Sequence, residues 1–217
     1  LSKPRLLDLF SGAGGASMGY SQAGFEVVGV DINPQPNYPF EFIQADALTF
    51  DISGFDVIHA SPPCQAYSRM SVCHPELIGS YPDLVSETRN LLKNTGLPWV
   101  IENVPGSPLR VDIKLCGCQF GLRSPRGLGV RRERWFETYP QISLILPPHN
   151  HFEPALPVAG HSPGKEWRIR YAEFGEAPRA KERKEAMGVT WMNRNEAAQA
   201  IPPAYTEYIG KYLLSCL

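Results

Sequence analysis

Short apolar runs separated by glycine and proline dominate the first hundred residues. RLLDLF, over Arg5–Phe10, is almost wholly apolar and runs straight into the tight SGAGG of Ser11–Gly15. Such runs, bounded by turn formers, read as buried strands. The same pattern predicts strands at Phe25–Asp31, Phe42–Asp46, Phe55–Ala60 and Trp99–Asn103. Ser17–Ala23, stopped by Gly24, and Ser86–Leu92 read as helices between them. Strands alternating with helices predict an α/β fold on a mainly parallel sheet.

The pattern fades between about Tyr139 and Ala180, where PPHNHFEPALPVAGHSPG is rich in proline, glycine and histidine. This stretch reads as a short insert over 140–180, not as a second folded domain. Regularity returns from Lys181. Ala204–Leu214 predicts an amphipathic helix whose start suits Pro202 and Pro203. The main domain is therefore expected over 1–139 and 181–217.

Composition narrows the picture. The chain has 217 residues, 43% hydrophobic and 20% charged, which suits one globular domain with a sizeable core. No apolar run is long enough to span a bilayer, and no basic-then-apolar leader opens the chain. Five cysteines at irregular spacing do not form a secreted disulfide framework, so a reduced, cytoplasmic protein is expected. A net charge of −1 gives no global attraction to nucleic acid. Contact with DNA would have to come from local basic patches.

Two loops carry the candidate chemistry. Open α/β sheets bind ligands beyond the carboxyl ends of their strands, and DLFSGAGG ends the first strand there. Gly12, Gly14 and Gly15 allow a sharp turn and close backbone approach. Asp31 ends the next strand, where a carboxylate can accept from two vicinal hydroxyls. The spacing is not G-x-G-x-x-G, and Asp8 would repel a pyrophosphate but not a sulfonium or an amino group. That chemistry favours S-adenosylmethionine over a nicotinamide dinucleotide. Asp46, after the third strand, is placed either to reach an adenine edge or to serve as a solvated turn residue. The cofactor set is thus Asp8, Phe10, Ser11, Gly12, Ala13, Gly14, Gly15, Asp31, Ile32, Asp46, Ala47 and Pro62. The second loop, Ser61-Pro62-Pro63-Cys64-Gln65, follows the fourth strand. Two prolines stiffen it, so it can hold a thiol in one place. A helix starting after Cys64 would lower the thiol pKa.

DLFSGAGG, Asp31, Pro62-Pro63-Cys64-Gln65, Glu102-Asn103-Val104 and Arg132-Glu133-Arg134 stand in the order of the motifs of the DNA (cytosine-5) methyltransferases. The chain resembles that family, and its CGCQFGLRSPRGLGVRRERWFET stretch resembles small bacteriophage methylases. The resemblance implies a Rossmann-like S-adenosylmethionine-dependent fold with a short variable insert, releasing S-adenosylhomocysteine. It implies that the Cys64 thiolate adds to C6 of cytosine, making C5 nucleophilic. Glu102 would supply the proton at N3, its apolar strand raising its pKa. Arg132 and Arg134 complete the catalytic set, one of them approaching the cytosine O2 or a phosphate. Pro63, Gln65, Asn103, Arg131, Arg168 and Arg170 would contact the substrate, a duplex DNA with a flipped cytosine. By the same resemblance, Ala200–Ala204 would close the cofactor pocket, and Glu185–Gly188 would support the recognition region.

Some positions depart from the family. Val130 stands where a glutamine is usual, and Gln199 where an asparagine is usual. The recognition region is reduced to about forty residues, fewer than usually fold unaided. A homodimer or a partner could supply the rest; a monomer is the other expectation. C-x-C at Cys116 and Cys118, and H-x-H at His149 and His151, lack zinc-finger spacing, so no metal is assigned. Two other readings stay open: the same chemistry on RNA or a free nucleotide, and an inactive relative that only binds.

Overall fold

The computed structural model describes residues 2–67, 81–151, 155–156 and 180–217. Its centre is a seven-stranded sheet. In chain order the strands are β1 (Arg5–Leu9), β2 (Glu26–Asp31), β3 (Glu41–Gln44), β4 (Val57–Ala60), β5 (Trp99–Asn103), β6 (Ile113–Leu115) and β8 (Arg134–Tyr139). A two-residue β7 (Gly129–Val130) pairs in parallel with β9 (Ala155–Leu156) outside that sheet. The sheet order is β3-β2-β1-β4-β5-β8-β6. The first five strands run parallel; β8 joins β5 antiparallel and carries β6 antiparallel at the edge. This is the mainly parallel, doubly wound arrangement expected from the sequence.

That order places the site. The chain runs outward from β1 to β2 and β3, then returns to build β4 and β5 on the other side. The order therefore reverses between β1 and β4, where α/β sheets open a ligand crevice. The glycine turn leaves β1 and the diproline loop leaves β4, so both enter the same crevice. Backbone bonds hold their roots: Ser61 N–H donates to Leu9 O at 3.1 Å and Ser11 N–H to Val30 O at 3.1 Å. β1 is buried beyond its first residue and β4 and β5 are buried throughout, as the unbroken apolar runs require.

Helices cover the sheet: α1 (Gly15–Ala23), α2 (Val85–Lys93), α3 (Ala180–Met187), α4 (Arg194–Gln199) and α5 (Pro203–Leu214). The terminal α5 lies against α1 at backbone distance. A Cβ on Gly19 would sit 2.1 Å from both Pro203 O and Thr206 Oγ1, so only glycine fits there. Thr206 Oγ1 donates to Ala16 O at 2.8 Å across the contact. Tyr20, Phe25, Tyr205, Ile209 and Leu213 fill the space beneath it. The last motif of the chain is thereby locked beside the first.

The third strand ends at Gln44, short of the sequence expectation, because Asp46 turns the chain with its own carboxylate: Oδ1 accepts Leu48 N–H at 2.9 Å. β6 and β8 were not expected. The shortness of β6 and the charged Arg134 and Glu137 in β8 hide the apolar signal. The first part of the 140–180 stretch packs on the main domain, with Ile142 buried in its core. Arg168 and Arg170 lie outside the described residues. Among the described residues, no helix is long and apolar enough to cross a membrane.

Candidate active site

A cleft of about 440 Å³ opens at the β1/β4 switch point. On one wall stand Asp8, the 10–13 turn and Asp31; on another stand Pro62, Pro63, Cys64 and Gln65; Glu102 and Arg134 close the inner side. Motifs that lie far apart along the chain meet in this one space.

Asp8 is wholly buried at the end of β1. Ser17 Oγ donates to its Oδ2, and Tyr38 OH lies 2.7 Å from the same hydroxyl. Its Oδ1 has no hydrogen-bond partner among the described residues. Desolvation pushes the carboxyl up to about 7, against the Ser17 bond, with Asp31 adding repulsion. A buried carboxylate with one unused oxygen on a cleft wall is built to receive a cationic or N–H-bearing ligand. Asp31 uses its oxygens to shape the turn: Oδ2 accepts Gly12 N–H at 3.0 Å and Oδ1 accepts Asn33 N–H at 2.9 Å. It remains half-buried on the cleft wall.

The raised pKa gives a testable sign. Because the folded value lies above the ordinary one, the penalty for burying ionised Asp8 is absent below about pH 4, grows through the interval and is complete above about pH 7. Asp8→Asn should therefore raise the stability of the ligand-free protein at about pH 8. The gain should reach up to about 4 kcal/mol, at about 1.36 kcal/mol for each pH unit between the ordinary and the raised value. It should vanish near pH 4 in urea unfolding. An equal gain at both pH values would remove the carboxylate's charge from the account.

Cys64 lines the same cleft, half-buried on its diproline loop. Asn103, fully buried at the end of β5, donates from Nδ2 to Pro62 O at 3.0 Å, and its Oδ1 accepts Val104 N–H at 2.8 Å. It anchors the loop that carries the thiol. The described residues directly after Cys64 form a three-residue 3-10 turn, Gln65–Tyr67, where the sequence suggested the start of a helix. So short a turn has no macrodipole able to lower the thiol pKa. Burial and the Glu102 carboxylate push the Cys64 thiol up instead, with Arg134 and Arg132 pulling the other way.

Glu102 is buried on β5, and desolvation raises its pKa as expected, opposed by Arg134, Arg132 and the Ser61 hydroxyl. Arg134 Nε lies 2.8 Å from Glu102 Oε1 in an ion pair. Behind it runs a buried polar row: Tyr20 OH lies 3.0 Å from His59 Nδ1, and His59 Nε2 lies 2.9 Å from Ser61 Oγ. Burial pushes the His59 imidazole down to about 3, so it is neutral. Tyr20 then donates to Nδ1, and the Nε2–H donates to Ser61, which leaves the Ser61 proton for Glu102.

Residues 4–106, which include the cleft walls from Asp8 to Glu102, match the model of the family described as C-5 cytosine-specific DNA methylase. Just under half of the chain is thus similar to the C-5 cytosine-specific DNA methylases. Over 79 residues it is 35% identical to the type II methyltransferase M1.HphI of Haemophilus parahaemolyticus, a match covering 29% of this chain and 21% of that protein. Solved structures agree in fold. A putative DNA modification methyltransferase encoded within an E. coli prophage superposes with a TM-score of 0.63 at 15% identity, covering 98% of this chain and 99% of that one. The Dnmt2 methyltransferase of S. pombe gives 0.59 at 15% identity, over 99% of each chain. The Entamoeba histolytica methyltransferase EhMeth gives 0.59 at 12% identity, over 100% of this chain and 99% of that one. At such identities these structures establish the Rossmann-like methyltransferase fold and nothing finer.

Within this fold the two arginines of Arg-x-Arg take different positions. Arg134 faces the cleft. Arg132 is 4% exposed and turned away, donating from Nε to Ala200 O at 2.7 Å and from Nη2 to Ala198 O at 2.8 Å. Tyr205 OH donates to Arg132 O at 2.7 Å. Arg132 thus staples the 198–200 segment that borders the cleft, and of the two arginines only Arg134 lines it. Arg131 is exposed and, with Asn103, Gly14, Asp46 and Ala47, does not line the cleft. Asp46 is spent on its turn, Ala47 is buried in the core, and Gly14 caps α1 at φ 81°. Phe10, Ser11, Gly12, Ala13, Gly15, Ile32, Pro62, Pro63 and Gln65 line it as expected.

The C-terminal wall went unread in the sequence, apart from Gln199, Ala200 and Ile201. Asn193, Asn195, Glu196 and Gln199 line the cleft from α4 and the residue that caps it. Asn193 Oδ1 accepts Asn195 N–H at 2.9 Å and Glu196 N–H at 3.0 Å. Glu196 also accepts from Asn37 Nδ2 at 3.0 Å, tying this wall to the loop after β2. Trp191 Nε1 donates to Ala13 O at 2.9 Å, fastening it to the glycine turn. The N-x-x-E of Asn193–Glu196 is a capping box visible in the sequence, but it marks a helix start and not a ligand.

Proposed function

We propose that the chain transfers a methyl group from S-adenosylmethionine to C5 of cytosine in DNA, through a covalent bond between Cys64 Sγ and C6. One observation carries the reading: the thiol of the diproline loop, the Glu102–Arg134 pair and the unpartnered oxygen of Asp8 all open into a single cleft. The family match over residues 4–106 supports the same chemistry.

The cleft suits the cofactor. Asp8 offers a buried anionic oxygen to an ammonium or sulfonium, Asp31 offers a carboxylate to ribose hydroxyls, and the 10–13 turn lets the ligand approach the backbone closely. Bound there, S-adenosylmethionine supplies an electrophilic methyl group. The protein's own work is on the base. The Cys64 thiolate adds to C6 and its electron pair enters the ring. Glu102, whose carboxyl burial shifts toward the protonated form, gives its proton to N3, so the adduct carries no net charge on the ring. Arg134, beside both groups, offers donors to the cytosine O2 or the adjoining phosphate. After transfer, loss of the C5 proton to water lets the C5–C6 double bond reform and expels the Cys64 thiolate, and the N3 proton returns to the Glu102 carboxylate. A cytosine in duplex DNA must leave its stack to enter a cleft this deep.

The test is methyl transfer from labelled cofactor to duplex DNA, transfer RNA and dCMP offered separately and in competition. The expected outcome is label in duplex DNA at C5 of cytosine, read by bisulfite sequencing. Transfer to RNA or dCMP alone keeps the chemistry and overturns the substrate. Absence of transfer to all three, with cofactor bound, overturns the activity.

A further inference from the structure

Two fragments of the sequence that the catalytic reading leaves unused meet in space. Cys116 and Cys118 belong to a short 3-10 turn after β6. His149 and His151 lie on the extended strap that follows β8. Their four ligand atoms all lie within 4.8 Å of one another. Cys116 Sγ is 3.6 Å from His151 Nε2, and His149 Nε2 is 2.9 Å from His151 Nε2. None of the four lines the active-site cleft.

We infer that Cys116, Cys118, His149 and His151 bind one zinc ion, which fastens the root of the variable insert to the methylase core. The donor set is two thiolates and two imidazoles, the composition of closed structural zinc sites. Bonds of about 2.3 Å to sulfur and about 2.0 Å to nitrogen place sulfur and nitrogen about 3.5 Å apart on a tetrahedron. The Cys116–His151 separation already has that value. The two imidazoles need to open by only a few tenths of an ångström, and both sit on an exposed strap that can yield.

The surroundings are arranged to hold the ligands. Gly117, between the cysteines, passes so close to β7 that a Cβ would stand 2.5 Å from Val130 O. No other residue permits that C-x-C turn. Gln119 links the two ligand-bearing segments: its Oε1 accepts Cys116 N–H at 2.8 Å, and its Nε2 donates to Pro147 O at 3.1 Å. Such outer bonds orient ligands in metal sites. Before the histidines the strap is held by Gln141 on Asp112, by Ile142 and Leu144 against the core, by Tyr208 OH on Ile145 O and by Gln119 on Pro147 O, while Ile145 itself is 93% exposed. Four coordinate bonds across the thirty residues between Cys118 and His149 would stabilise this irregular strap well beyond those contacts. Soon after His151 the chain reaches β9 and the rest of the insert, so the ion would fix where the insert begins. An insert of this size usually needs such help to fold.

The experiment uses the full chain, expressed with zinc in the medium and purified under reducing conditions. Elemental analysis should find about one zinc per chain. The pairs Cys116→Ser/Cys118→Ser and His149→Ala/His151→Ala should each lose it, while Cys216→Ser should keep it. Cobalt exchanged into the wild-type chain should show the intense visible bands of tetrahedral cobalt with thiolate-to-metal charge transfer. That spectrum decides the matter even if the variants fail to fold. Chelation should also lower the Tm. Wild-type chain with less than about a tenth of an equivalent of zinc and no tetrahedral cobalt spectrum would overturn the site. So would retention of zinc in both paired variants.

Discussion

Cys64→Ser is expected to cut methyl transfer by at least about 10⁴-fold, the scale on which covalent enzymes lose rate with their nucleophile. Serine keeps the size of the side chain but is far too weak an acid to present its anion in a cleft that already raises the thiol pKa. The loop itself should stand, because Asn103 grips Pro62 O and not the side chain of Cys64. Binding of S-adenosylhomocysteine by calorimetry should therefore change by less than about 1 kcal/mol, as for a near-isosteric change outside the core. A covalent complex with DNA containing 5-fluorocytosine should form with the wild type and be absent in the variant. If the variant kept more than about a hundredth of the rate, addition to C6 would not be the route. If cofactor binding were lost as well, Cys64 would be a structural residue of the loop.

Glu102→Gln has a second large effect, and a divided one. Glutamine retains hydrogen-bond donors but has no acidic proton for N3, so methyl transfer should fall by about 10²- to 10⁴-fold, the usual worth of general acid catalysis. The thiol should respond in the opposite direction. The Glu102 carboxylate is one cause of the raised Cys64 pKa, after burial, while Arg134 and Arg132 lower it. Removing the carboxylate leaves two guanidiniums unopposed, so the thiolate fraction at pH 7 should rise and iodoacetamide should alkylate Cys64 faster. The state in which Glu102 holds its proton while Cys64 is ionised is the state both catalytic roles require. Slower alkylation in Glu102→Gln would sink this coupling, even if methyl transfer fell as expected.

Arg132 stands behind the cleft and not in its lining. Its two bonds to Ala200 O and Ala198 O hold the C-terminal segment against the cleft, and its charge adds to that of Arg134. A motif residue can matter to a reaction by placing the structure that surrounds it, and linear resemblance does not separate that from contact.

Much of this protein was legible along the chain. β1, β2, β4 and β5 declared themselves as mostly apolar runs, because strands covered on both faces carry few polar positions, whereas the edge strand β3 keeps Glu41 and Gln44 exposed. The chemistry of the turn after β1 and of the diproline loop after β4 was equally local: glycine frees a backbone, proline stiffens it, and a carboxylate refuses a pyrophosphate. What stayed hidden were the features made by residues far apart in sequence. His59 looked like one more residue of an apolar strand until the fold set it between Tyr20 and Ser61. The thiol pKa rose because the fold buries Cys64 and sets Glu102, thirty-eight positions away, beside it. Arg132 and Arg134 are two residues apart in sequence, yet the neighbouring helix takes one and the cleft the other. The two cysteines and two histidines lack finger spacing because β7 and β8 intervene, and only the packing of the strap on the core brings them within 4.8 Å. Burial pattern and backbone freedom are properties of neighbours in the chain; desolvation, charge coupling and metal geometry are properties of neighbours in space, and those the tertiary structure alone decided.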